Sequence, residues 1–315
     1  MGTVAHCDLE LPPRLTAAES ESMVLAVYDS VNSVFSTWQT DSELSRLNNF
    51  PADSALTVSP WLWECLTAAD RLHTLSNGAF DPTAEPLMRL WGFYRRQGTL
   101  PGKAELDSVL NLLGNWEFTA SGKVVKATEN TCFDLGGIAK GFAVDQAALR
   151  LEEAGVTNGL IDLGGNLFCL GGAPGRADWR VGIRDPLDRD RYFASVSVTE
   201  CGVSTSGSYE RFVTINGHRY GHIMNPTTGQ PAEGILSTTV FAPTALLADG
   251  LSTALFVLGV DRSRKLMAEL DEPIEAILVV PGQDKGKARV LITPGLENKV
   301  TLLPEYAESY ELTLW

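Results

Sequence analysis

Residues 136–170 read GGIAKGFAVDQAALRLEEAGVTNGLIDLGGNLFCL, and a change of rhythm inside them decides the fold class. The first half has no strand-like alternation. It predicts a helix opening after Gly136-Gly137 and running to Gly155, with Ile138, Phe142 and Leu149 turned inward. The second half breaks into short apolar runs, Leu160–Leu163 and Leu167–Leu170, separated by glycines, as strands joined by a tight turn would be. Downstream the strand signal continues at Trp179–Ile183, Phe193–Val198, Phe212–Ile215 and Ser237–Phe241. A helix from about Thr244 to Leu258 follows, then another near Ser263–Leu270, then strands Ala276–Val280 and Val290–Thr293. Upstream lie three helices. The first spans Thr16 to Phe35, where Thr16 and Glu19 have the spacing of a capping box and Val24, Val27, Val31, Val34 and Phe35 share a face. The next starts at Pro60 behind Ser59 and stops at Asn77-Gly78, and the third runs from Ala104 to Leu113 before Gly114. Helices and strands are clustered, not strictly alternating, which favours α+β over a doubly wound parallel sheet.

Composition narrows the function. The chain has 315 residues, 44% hydrophobic and 20% charged, enough for one large domain or two fused lobes with a sizeable core. A formal net charge of −14 argues against nucleic acid as a partner, because phosphate backbones are bound by clustered Lys and Arg. Any phosphate chemistry must then work through a metal ion or locally focused groups. The five cysteines are an odd number, scattered, without a CxxC pair, so neither a disulfide scaffold nor a zinc site is expected. No apolar run approaches the ~18 residues of a membrane span. No signal peptide is visible at the start, so a cytoplasmic location is expected, or an extracytoplasmic one if a leader has been trimmed.

Four segments carry candidate chemistry. Asp134-Leu-Gly-Gly-Ile-Ala-Lys140-Gly141 runs through two glycines into a helix with a lysine in its first turn. Backbone N–H groups and a positive helix end can approach phosphate oxygens there, although a tight structural turn reads the same way. Its tetrapeptide Asp-Leu-Gly-Gly recurs at Asp162, a hint that two similar turns face one site. In Ala248-Asp249-Gly250-Leu251-Ser252-Thr253, Asp249 and Thr253 are spaced i, i+4 and share a helix stripe, a carboxylate and a hydroxyl suited to a hard cation. The bland alternative is an exposed Asp and a Thr bonded to its own helix, but the apolar flanks imply burial, and a buried carboxylate needs a partner. In Arg219 through Gly229, His222 sits in a turn after a strand and could take a proton from an attacking hydroxyl, or be structural. In Asn77-Gly-Ala-Phe-Asp81-Pro82-Thr83, Asp81 precedes a proline in extended or turn backbone. The aromatic cluster after it, Trp91 and Phe93, fits either a core or the flank of a flat ring.

Taken in order, these segments resemble the ApbE family of FAD:protein FMN transferases. The resemblance rests on Met1-Gly2-Thr3, Ser36-Thr37-Trp38 through Ser42-Glu43-Leu44-Ser45-Arg46-Leu47-Asn48, Gly78-Ala-Phe-Asp81 and the first Asp-Leu-Gly-Gly segment. It continues through Leu160-Ile-Asp-Leu-Gly-Gly-Asn166, Ser204-Thr-Ser-Gly207 with Tyr209-Glu210, His222 through Gly229, and Ala248 through Gly259. It spans nearly the whole chain. It implies a single α+β domain over residues 1–315, or two closely fused lobes with the FAD site between them, built T-fold-like from mostly antiparallel sheets packed with helices. By the same resemblance Gly137, Asp249 and Thr253 hold Mg²⁺ with Ser252 beside them. Met1, Trp38, Ala79, Phe80, Asp81, Asp134, Lys140, Ser206 and Ile223 line the FAD site, and His222 is the base. At the position of Trp38 the family often carries tyrosine. The implied reaction moves FMN from FAD to a Ser or Thr hydroxyl of a target protein and releases AMP. Two alternatives share the site: an FAD pyrophosphatase using water, and a non-catalytic flavin-binding protein.

Overall fold

The computed structural model describes residues 3–95, 97–284 and 286–315. Its first part is mostly helical: β1 (Ala5–Leu9), α1 (Ala17–Phe35), α2 (Glu43–Asn48), α3 (Pro60–Leu75), α4 (Glu85–Leu90) and α5 (Lys103–Leu110). A small hairpin, β2 (Trp116–Phe118) and β3 (Val124–Lys126), leads into α6 (Ala139–Glu153). Then come β4 (Gly159–Leu163), β5 (Asn166–Leu170), β6 (Trp179–Arg184), β7 (Tyr192–Val198), β8 (Cys201–Gly207), β9 (Phe212–Ile215), β10 (His218–Gly221) and β11 (Ser237–Ala242). The chain ends with α7 (Ala245–Glu269), β12 (Glu275–Pro281), β13 (Ala288–Ile292), β14 (Val300–Leu302) and β15 (Tyr310–Leu314). The architecture is α+β.

The frame is an eight-stranded sheet in the order β1-β4-β5-β8-β11-β12-β13-β15, antiparallel throughout except for the β13–β15 pair. One face is covered by α1, α6 and α7, whose apolar side chains join Val240, Ala242 and Leu278 in the larger core. The other is covered by the three-stranded sheet β14-β7-β6, where Phe193 and Val196 meet Phe241, Ile277 and Val279. Covered on both sides, β11 is buried along its whole length. A sheet closed from above and below leaves its chemistry to strand ends and to polar residues admitted deliberately into the core.

The capping box on α1 forms as the sequence predicts, with Thr16 and Glu19 bonding reciprocally. Three details differ. Leu149 is half exposed, and the inward stripe of α6 is instead Val144, Ala147, Ala148 and Leu151. The alanines matter because α6 crosses α7 so closely that a Cβ on Gly141 would lie 2.2 Å from the Ala245 carbonyl oxygen. Phe142 is buried for another reason, packing edge-on against the rings of Phe35 and Trp61. The two late helices form one run, broken in direction at Gly259, whose φ of 73° interrupts the helix. Strand β8, central to the sheet, has no strand-like composition. Its helix-side residues are Gly202, Ser204 and Ser206, small because α7 lies directly on them: a Cβ on Gly202 would be 2.2 Å from the Ala245 nitrogen.

Candidate active site

The site grows from the contact between α6, α7 and β8. Neither helix start is capped in the ordinary way alone. Asp145 on α6 accepts from the Ala245 and Leu246 amides at the start of α7, at 2.7 and 2.8 Å. In return Asp249 on α7 accepts from the Gly141 amide in the first turn of α6, at 3.0 Å. Each helix thus supplies a carboxylate to the other's positive end. Burial pushes the Asp145 carboxyl up to about 7, against the pull of its two backbone donors.

Asp249 is nearly inaccessible and is the hub of a polar cluster. Its Oδ1 lies 3.4 Å from the Lys140 ammonium and 3.3 Å from the Ser204 hydroxyl. The Asn166 amide, turned so that its nitrogen meets acceptors, donates to Asp249 Oδ1 at 3.0 Å while its oxygen accepts from Lys140. Ser206 continues the row, with its hydroxyl 2.8 Å from that of Ser252 and 3.3 Å from that of Thr253. The Asp249–Thr253 spacing does put both side chains on one stripe facing β8, and the Thr253 hydroxyl is only loosely held, 3.4 Å from the Asp249 carbonyl. The two Asp-Leu-Gly-Gly turns converge here: Lys140 follows one and Asn166 follows the other. Asp162 itself closes its own turn by accepting from Gly165 at 2.7 Å.

Gly137 faces this cluster. A Cβ there would come 3.4 Å from the Thr253 hydroxyl oxygen and 3.2 Å from the Phe80 ring, so the bare backbone is held between them. Among the described residues no group of three or more His, Cys, Asp or Glu could hold a metal. The available set is one carboxylate, hydroxyls and a neighbouring backbone. An all-oxygen set with a single charge suits Mg²⁺, which keeps waters or substrate phosphates in its remaining positions. The residues therefore fit that ion, and they do not fit zinc or another soft metal.

An aromatic platform is tied to the glycine turn through Asp134. Trp38 is 70% exposed, and its ring lies 5.2 Å from that of Tyr94. The Tyr94 hydroxyl donates to Asp134, whose other oxygen accepts from the Gly136 amide at 2.7 Å. Burial beside that carboxylate holds the phenol well above its ordinary range. A large indole left open to water next to a hydrogen-bonding carboxylate offers a face to a flat heteroaromatic ring. Trp91, by contrast, is core, with its indole N–H on the Gly229 carbonyl.

The remaining predicted residues lie around these two patches. The Asp81 side chain is almost fully buried, held by the Thr83 amide and hydroxyl with His73 at 3.7 Å, and burial raises its carboxyl above the usual range. It shapes the turn whose Pro82 carbonyl accepts from the Asp134 amide at 2.7 Å. Ala79, Phe80 and Ile223 are buried beneath the surface. His222 follows β10, half-buried, with Nδ1 3.1 Å from the Arg211 carbonyl. Desolvation, with Arg211 and Lys140 adding to it, lowers its imidazolium to about 4. It is therefore neutral at pH 7, and the Nδ1 contact fits a tautomer that leaves the Nε2 lone pair free. Met1 lies outside the described residues. Tyr94 is not among the residues the sequence singles out, and Asn48, part of the resemblance but given no role by it, clamps Phe133 by donating to its carbonyl at 2.9 Å and accepting from its amide at 2.7 Å. Neither leaves a periodicity to detect.

The fold with this site is that of the flavin transferases. It matches "Flavin Transferase ApbE from Vibrio cholerae" with a TM-score of 0.82 at 29% identity over 95% of this chain and 96% of that one. The apo form of Pseudomonas stutzeri flavinyl transferase ApbE matches with a TM-score of 0.80 at 30% identity over 94% and 96%. In sequence, the FAD:protein FMN transferase of Salmonella typhimurium is 33% identical over 276 residues, covering 85% of this chain and 79% of that protein. That of Treponema pallidum is 33% identical over 318 residues, covering 94% and 86%. The ApbE family model matches residues 1–278, and the chain belongs to the ApbE family.

Proposed function

We propose that this chain is an FAD:protein FMN transferase, moving FMN from FAD to a Ser or Thr hydroxyl of a target protein and releasing AMP. The observation that carries the reading is the buried Asp249, on the same helix stripe as Thr253, whose hydroxyl faces the bare backbone of Gly137. Asp249, Thr253 and the Gly137 carbonyl, with Ser252 alongside, would hold Mg²⁺. The ion would offset the diphosphate's charge and ease the departure of AMP.

The chain's own groups do the rest. Lys140 places a positive charge beside the phosphates, and Asn166 keeps that ammonium aimed at the cluster. Trp38 and Tyr94 offer a stacking face to a ring of the dinucleotide, with Asp134 as an acceptor beside it. The acceptor hydroxyl oxygen bonds to the FMN phosphorus, the anhydride P–O bond breaks, and AMP leaves with the bridging oxygen. His222 Nε2 takes the hydroxyl proton.

The acceptor expected from the resemblance is a segment ending in something like Ser/Thr-Gly-Ala-Ser/Thr. Incubation with FAD, Mg²⁺ and such a peptide should increase its mass by one FMN and release an equal amount of AMP. FMN and AMP with an unmodified peptide would instead favour a pyrophosphatase. FAD recovered intact would favour a binding protein. No helix among the described residues is long and apolar enough to cross a membrane.

A further inference from the structure

The β9–β10 hairpin turns through Asn216 and Gly217, both with positive φ (50° and 81°), as a two-residue hairpin loop requires. Ile215 faces His218 across it, followed by Thr214 with Arg219, Val213 with Tyr220 and Phe212 with Gly221. Only alternate couples of an antiparallel pair exchange hydrogen bonds. Counted from the turn, these are Ile215 with His218 and Val213 with Tyr220, and the next in step is His222, whose amide donates to the Arg211 carbonyl at 3.1 Å. Arg219 and Gly221 therefore aim their backbone N–H and C=O groups away from β9. Ile223, next in step on that outer side, has a partner there, its carbonyl accepting from the Ala232 amide at 2.8 Å. Arg219 and Gly221 have none among the described residues, because the returning chain leaves β10 after Ala232, through Gly234 with its φ of 92°. The wedge so opened, between β10 and residues 231–235, is a cavity of about 380 Å³. Its walls reach water, with Arg219 and Glu233 exposed and Gly221 partly so. An accessible strand edge with unpaired backbone groups is a template for another strand.

We propose that the open edge of β10 is where the acceptor protein docks, an extended segment of it adding to the edge as a strand and bonding backbone to backbone with Arg219 and Gly221. The proposal rests on the transferase reading above. Continuity with the site selects this occupant: the cavity ends at Gly221, and the next residue is His222, whose free Nε2 must meet the acceptor hydroxyl. A strand added to β10 lies about 4.7–4.9 Å from it, which leaves a Ser or Thr side chain within reach of the residue that follows.

The test gives the wild-type enzyme FAD, Mg²⁺ and the acceptor peptide named above, extended by several residues and N-methylated at one amide at a time. Strand pairing uses every second residue, so KM for the peptide should rise by about fivefold or more, the worth of one backbone hydrogen bond, at alternate amides only, with KM for FAD unchanged. Arg219→Pro removes an N–H that the hairpin does not use, a place where an edge strand tolerates proline. It should raise KM for the unmodified peptide by about fivefold or more over Arg219→Ala, which keeps that N–H. Losses at consecutive amides, or at none, would overturn the proposal. So would Arg219→Pro matching Arg219→Ala while both keep their unfolding midpoint and FAD affinity, or a dimer in solution that Arg219→Pro splits without changing KM for the peptide. An unmodified peptide that the wild type never flavinylates would instead remove the transferase reading, and this proposal with it.

Discussion

Replacing Asp249 separates what the buried carboxylate does for the fold from what it does for a cation. In Asp249→Ala the Gly141 amide loses its acceptor in a buried position, which costs about 1–3 kcal/mol, and Lys140 and Ser204 lose a partner. Lys140 remains partly exposed, so water compensates some of its loss. Together the expected destabilisation is about 3–5 kcal/mol, the range for breaking a buried ion pair. Asp249→Asn keeps an oxygen for Gly141 and nearly the same shape, and should cost only about 1–2 kcal/mol, the difference between charged and neutral hydrogen bonds. It removes the single charge among the expected cation ligands. Urea unfolding gives the stabilities. FMN transfer measured across a Mg²⁺ titration gives the catalytic effect. Asn should stay folded yet lose transfer by at least about a hundredfold, comparable with the loss of a group stabilising transition-state charge. An Asn variant with wild-type transfer and an unchanged Mg²⁺ requirement would refute the cation assignment. An Ala variant within about 1 kcal/mol of wild type would refute the reciprocal capping of α6 and α7.

Three further outcomes are expected. His222 must be neutral to accept a proton, and its imidazolium lies at about 4. Transfer in the free enzyme, read as kcat/KM, should fall as pH drops through that value and stay flat toward neutrality; an acid limb near the ordinary ~6.5 of histidine would speak against the assignment. Trp38→Ala should raise KM for FAD by about five- to a hundredfold, the worth of one aromatic–base stack, without changing the unfolding midpoint, since the ring is exposed; an unchanged KM would move the flavin nucleotide away from Trp38. Gly141→Ala puts a methyl 2.2 Å from the Ala245 carbonyl oxygen, and the forced shift of α7 should cost about 3 kcal/mol by urea unfolding; a neutral substitution would mean the two helices do not cross as closely as described.

The sequence carried the α+β class, the α1 capping box, eight of the fifteen strands among the described residues and the shared stripe of Asp249 and Thr253, because periodicity and cap chemistry are local. It did not carry β8. Gly202, Ser204 and Ser206 are selected by the closeness of α7, a tertiary demand that overrides strand propensity. The outward turn of Leu149 has a similar origin, since the buried face of α6 is set by where α7 lies. The roles of Tyr94 and Asn48 were hidden for another reason: they are side-chain hydrogen bonds to Asp134 and to the Phe133 backbone, made across long stretches of chain. His222 and Asp81 were singled out by their place in turns. The structure shows His222 half-buried with its ring fixed on the Arg211 carbonyl, and Asp81 turned toward Thr83 and His73.

The most direct measurement is a crystal structure of the wild-type protein soaked with FAD and Mg²⁺. One cation should appear at about 2.0–2.1 Å from the Asp249 carboxylate, the Thr253 hydroxyl and the Gly137 carbonyl, with the dinucleotide's phosphates completing its shell. A flavin bound with its phosphates remote from Gly137, and Asp249 still engaged only with Gly141, Lys140 and Ser204, would contradict it.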